Sequence, residues 1–193
     1  MIISPYSLPE GISIDGIFYA VNTDFKVWLE IAEIISSKEL NIFEKAEKTL
    51  ALCYKDSLPQ TFNAAINGMF EFYRCAKEST SQGATSIHEK PVIDLVHDRD
   101  MIAAAFLHDY NIDLFTMPLH WWKFKALLSS LSEENKIVKV MGYRAINIGD
   151  IKDKEQKKFY KKMKSLYSLP DNRSEEEKEI EMLEKLNSIF EEV

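Results

Sequence analysis

Two histidine–aspartate doublets, His97-Asp98 and His108-Asp109, are the residues whose types and spacing come nearest to chemistry, with Asp100 and Asp113 close by. Neighbouring imidazole and carboxylate groups can hold a divalent metal, which activates water for hydrolysis. The doublets stand 11 positions apart, close to three helical turns, so a continuous helix would carry both on one face. The rise of about 1.5 Å per residue then separates them by roughly 16 Å, whereas ligands must lie within about 2.2 Å of an ion. One metal cannot take both doublets. His88 and His120 are the remaining histidines.

HD-type phosphohydrolases, also all-helical, use such doublets, but space their first histidine and last aspartate much farther from them. A metal-dependent hydrolase of that kind is the lesser alternative, and the doublets read as helix caps and surface polar residues. The sequence carries no Gly-rich phosphate loop, Gly-x-Ser-x-Gly, HExxH or CxxC motif, and no carboxylate pair stands out from the acidic background. The expectation is a protein that holds a partner, with neither catalytic residues nor a cofactor or metal.

Composition agrees with a binding role. A chain of 193 residues fits one domain and buries about 70% of its unfolded surface, so its core needs neither disulfide nor metal. Cys53 and Cys75 lie in apolar, helix-like stretches and match no redox or zinc spacing, which predicts reduced thiols and a reducing compartment. The first ten residues lack a signal-peptide pattern, and no run reaches the roughly 18 apolar residues of a membrane span. Of the net charge of −7, residues 171–193 carry −6 from nine acidic and three basic side chains. A nearly neutral body with an acidic end argues against nucleic acid, which needs a basic face. Lys152 to Lys164 holds seven lysines interrupted by Asp153 and Glu155; it reads as a solvated helix face.

The elements that must position these residues are mainly helical. Ile12-Ser13-Ile14, the turn Asp15-Gly16 and the return through Ile17 to Val21 predict a β-hairpin, because Asp-Gly accepts positive φ at both turn positions. Such a hairpin must lie on helices or pair with another chain. Asn22-Thr23-Asp24 caps a helix with Phe25, Trp28, Leu29 and Ala32 on one stripe. A second helix places Phe43, Ala46, Leu50 and Cys53 together and ends at Leu58-Pro59. The third aligns Phe62, Ala65, Ile66, Met69, Phe70 and Tyr73. A polar loop at 78–91 precedes a buried helix from about Asp98; Pro118 opens the next, and a short helix from Lys136 to Met141 is stopped by Gly142. The lysine helix then runs to Leu169-Pro170. The predicted fold is a helical bundle-like domain: residues 1–77 with the hairpin, a flexible loop at 78–91, a second helical half at 92–170, and an acidic amphipathic helix at 171–193.

Two places suit a partner. In Leu119-His120-Trp121-Trp122-Lys123-Phe124, helical spacing puts Trp121, Phe124, Leu128 and Leu131 in the core. Trp122 falls about 100° away and either packs on a second element or faces a partner. In residues 171–193, Met182, Leu186, Ile189 and Val193 form an apolar stripe, widened by Ile180, Leu183 and Phe190. That stripe docks on its own body or lies in a partner's groove.

Several segments together resemble the bacteriophage "Gp fifteen" family. They are Leu8-Pro9, Ile14-Asp15-Gly16, Asn22-Thr23-Asp24-Phe25, Ala103 to Phe106, Tyr110-Asn111-Ile112-Asp113-Leu114, the tryptophan motif, and Gly142-Tyr143-Arg144. The resemblance spans roughly residues 4–170; members commonly have glycine where Asn111 stands. It implies a phage or prophage protein encoded between the major tail protein and the tape measure, where tail assembly chaperones are found. From it follow, as expectations, binding of the tape measure protein and recruitment of major tail protein subunits in the host cytoplasm. A groove near Trp122 and Tyr143, with Arg144 as a polar anchor, is the expected surface. A minor structural component of the tail is the alternative, and self-association stays open.

Overall fold

The computed structural model describes residues 7–76 and 91–170. The predicted loop lies almost wholly, and the stripe Met182, Leu186, Ile189 and Val193 entirely, outside the described residues. Strands β1 (Gly11–Ile14) and β2 (Ile17–Ala20) pair antiparallel, with Ile14 opposite Ile17 and Ile12 opposite Tyr19. Asp15 and Gly16 have φ of 51° and 79°, the positive pair that a two-residue hairpin turn requires. Ile12 and Tyr19 are buried while Ser13 and Phe18 face outward, so alternation decides which face meets the helices. Beyond β2, the amide of Asn22 donates to Cys53 O and that of Lys55 to Ala20 O, which ties the hairpin to the end of the second helix.

Among the described residues, seven α-helices follow: α1 (Phe25–Ser36), α2 (Ile42–Cys53), α3 (Phe62–Tyr73), α4 (Arg99–Tyr110), α5 (Trp121–Leu128), α6 (Lys136–Ala145) and α7 (Lys154–Leu166). Most begin on a side chain that accepts an otherwise orphaned amide: Asp24 for α1, Asn41 for α2, Thr61 for α3, His120 for α5 and Asp153 for α7. Asn41 and Glu44 complete a reciprocal capping box. At the end of α4, Asn111 takes the left-handed conformation with φ 54°, and its neighbour's amide reaches back to Phe106 O; this terminates the helix where glycine would serve equally. Helices α1 and α5 start side by side, because Phe25 N donates to Leu119 O and Trp121 N to Thr23 O.

One aromatic core links the helices. Phe25 stacks on Phe124, Phe124 on Phe106 and Trp121, and Trp28 on Trp121 and Phe72, with ring centroids 4.9–6.1 Å apart. Offset stacking of this kind adds to the burial of large apolar area. Trp28, Phe72, Phe106, Trp121 and Phe124 are all buried.

The structure corrects several details of the sequence reading. Helix α3 buries Ala65, Gly68, Met69 and Phe72, not a stripe through Phe62 and Phe70, both of which are exposed. The reason is the hairpin: a Cβ on Gly68 would lie 2.8 Å from Ile12 Cδ1, Ile14 Cδ1 and the Tyr54 hydroxyl. Only small residues permit that approach. In α2, Phe43 leaves its expected stripe for solvent while Leu50 and Cys53 remain inside. Pro118 stands three positions before the first residue of α5 rather than opening it, since the His120 ring caps the helix. Gly142 does not stop α6, which continues to Ala145; its missing Cβ leaves the helical backbone intact.

Candidate docking surface

The residues singled out for chemistry are engaged in holding the fold. Asp98 is buried and forms a two-pronged ion pair with Arg144, Nη1 to Oδ2 at 2.6 Å and Nη2 to Oδ1 at 2.8 Å. Burial alone would push this carboxyl up. The hydrogen bonds from Arg144 and from the Asp94 amide, with the attraction of Arg144 and His97, hold it below the ordinary carboxylate range instead. Asp109 accepts from the Ser132 amide, the Asn135 side chain and the His108 ring, and in that order these bonds hold its carboxyl far below the usual range. The two aspartates thus anchor α4 to the N-cap and the last turn of α6. Reading them as caps and surface groups understated them: Asp98 is an interior ion and Asp109 a loop anchor. Among the described residues, no cluster of three or more His, Cys, Asp or Glu side chains could hold a metal ion.

The double tryptophan is also a clamp. Trp121 Nε1 donates to Tyr73 O at 2.9 Å and Trp122 Nε1 to Phe72 O at 3.0 Å. These carbonyls belong to the last turn of α3, where Phe72 O also accepts from the Cys75 amide at 3.0 Å. Trp122 is half-buried with its ring 5.6 Å from that of Phe72. It packs on a second element, the first of the two outcomes left open by its spacing.

Tyr143 and Arg144 lie on α6, against α7. Tyr143 is half-buried among Phe159, Tyr160 and Tyr167. Arg144 is buried, and besides Asp98 it donates to Tyr167 O at 2.6 Å and Val92 O at 3.1 Å. With its donors committed inside the chain, Arg144 acts as an internal clamp rather than a free polar anchor. Trp122, Tyr143 and Arg144 therefore do not line one open groove.

The open apolar surface lies elsewhere, between α2 and α3. Ile42, Phe43, Leu58 and Phe62 are 72%, 80%, 54% and 59% exposed. Phe43, Leu58 and Phe62 line a groove of about 590 Å³ floored by Leu50 and Tyr54 and rimmed by Glu47, Lys55 and Asp56. Exposed apolar residues gathered on one face mark an association surface, unlike single scattered ones. Sequence periodicity missed this set because Phe43 and Phe62 fit the core stripes. The available signal was position: Ile42 and Phe43 directly follow the Asn41 cap, and Phe62 the Thr61 cap, where side chains tilted toward the N-terminus project beyond the start of the helix and have no preceding turn to cover.

Neither cysteine is in a disulfide. Burial pushes the Cys53 thiol up to about 12, so it stays an unreactive thiol. None of the described helices is long and apolar enough to cross a membrane.

A family described as Bacteriophage Gp15 protein matches residues 6–169. The chain belongs to that family and is a bacteriophage protein. No curated protein and no solved structure matches it.

Proposed function

We propose that this chain is a non-enzymatic tail assembly chaperone, acting in the host cytoplasm, that binds the tape measure protein and recruits major tail protein subunits. The observation that carries the reading is the α2–α3 groove, with Phe43 and Phe62 exposed on a protein whose core is otherwise filled with stacked aromatics. A groove of this size with aromatic walls suits the apolar face of a long helix, read through anchors one turn apart. Its rim carries both charge signs, so complementarity of shape rather than net charge would select the helix. Membership in a bacteriophage family supports the setting. The carboxylates of the two doublets are consumed by Arg144, Ser132 and Asn135, which favours holding over hydrolysis.

Co-expression with the tape measure protein of the same phage, followed by affinity capture, tests the proposal. The expected result is a soluble complex that also takes up the major tail protein. Two separately soluble proteins that fail to associate would refute it. Retention of the chain in purified particles would favour a minor structural component of the tail instead.

A further inference from the structure

Among the described residues, nothing packs on the outer face of helix α7. Its inner side, through Tyr160 and Met163, packs toward α6, and Lys164 Nζ donates to Ile146 O. No residue of α7 is fully buried. Lys154, Lys158 and Lys162 recur every four residues on the outer side and are exposed, which aligns them in one row. Among the described residues none of these three forms an ion pair. Beside the row lie Phe159 and Leu166, 49% and 65% exposed, seven residues apart and hence on one stripe. The face is a lysine row flanked by an apolar strip.

The stretch that follows has the complementary pattern. Residues 171–193 carry −6, and Glu177, Glu181 and Glu184 recur at helical spacing beside the apolar positions Met182, Leu186 and Ile189. Seven residues, Tyr167 to Arg173, separate the end of α7 from Ser174. Helix–helix connections in bundles commonly run to about 2–8 residues. A covalently linked partner is also present at an effective concentration on the order of millimolar.

We infer that residues 174–193 dock in the same molecule on the outer face of α7, their glutamates on the lysine row and their apolar positions on Phe159 and Leu166. Lys154, Lys158 and Lys162 are then the seat of the acidic segment rather than part of a merely solvated face, and they are withheld from other acidic partners.

Hydrogen exchange on the full chain, read at residues 174–193, tests this. In the wild type at low salt this segment is protected, and protection falls by roughly tenfold at about 1 M salt, where the screening length shrinks to about 3 Å. The triple variant Lys154→Glu, Lys158→Glu, Lys162→Glu loses protection by a similar factor while the near-ultraviolet signal of the tryptophans stays unchanged. Adding Glu177→Lys, Glu181→Lys and Glu184→Lys to that variant restores it. Exchange in 174–193 that ignores the lysine substitutions overturns the inference. Protection that disappears on dilution overturns it as well, since the segment would then be docking on a second copy.

Discussion

Arg144 is the side chain on which the second half of the molecule converges. It joins Asp98 at the start of α4 to the carbonyls of Val92 and Tyr167, so one guanidinium fixes three chain segments. A buried ion pair of this sort contributes little relative to an apolar replacement, but removing one partner strands a charge at a cost of about 3–5 kcal/mol. Asp98→Asn and Arg144→Met are each expected to destabilise by that amount in chemical denaturation. The double variant Asp98→Leu, Arg144→Met should lose clearly less than the two combined. The pH dependence follows from the direction of the Asp98 shift. Its folded carboxyl titrates below the unfolded value of about 3.9, so its stabilisation is fully present above about pH 4 and is lost as pH falls through the folded value. Asp98→Asn should flatten the stability profile in that acid window, measurable by thermal melts from pH 5 downward. At Trp122, replacement by phenylalanine keeps the ring contact with Phe72 but strips the donor from its carbonyl. The expected cost is about 1 kcal/mol, and an unaltered melting temperature would remove Trp122 from the clamp.

At the scale of elements, close approach of the hairpin to α3 sets which helix face is inside. Gly68→Ala adds a methyl 2.8 Å from the tips of Ile12 and Ile14 and the Tyr54 hydroxyl. Overpacking of about 1–3 kcal/mol then competes with a helix-propensity gain of about 1 kcal/mol. A net loss in denaturant midpoint is expected, and a net gain would show that the hairpin yields readily. Local signals made much of this architecture legible beforehand. Asp15-Gly16 announced the hairpin turn and Asp24 its following helix, because each acts through its own backbone. The faces of α2 and α3 were not legible. Helix α3 carries Phe62, Phe70, Phe72 and Tyr73, which satisfies more than one helical stripe, and the choice depends on a hairpin some fifty positions away. The role of Arg144 was hidden likewise, since its partner Asp98 lies 46 residues off. The exposed α2–α3 groove was missed for the same reason, its phenylalanines being of the type that usually fills a core.

For the whole molecule, the division of labour is between a stacked aromatic interior that fixes the helices and an α2–α3 edge that leaves comparable side chains outside. Leaving Phe43 and Phe62 in water does nothing for the isolated chain, and in the proposed function a partner helix completes the groove. The most direct test of that account is the affinity for the tape measure protein of wild type and of the double variant Phe43→Ser, Phe62→Ser, measured by calorimetry or quantitative capture. Both residues are exposed, so the variant should melt within a few degrees of wild type, about the change expected of surface substitutions. Its affinity should nevertheless fall by at least about tenfold, as loss of aromatic anchors from an interface centre does. A variant that folds normally and binds the tape measure protein as tightly as wild type would contradict the account.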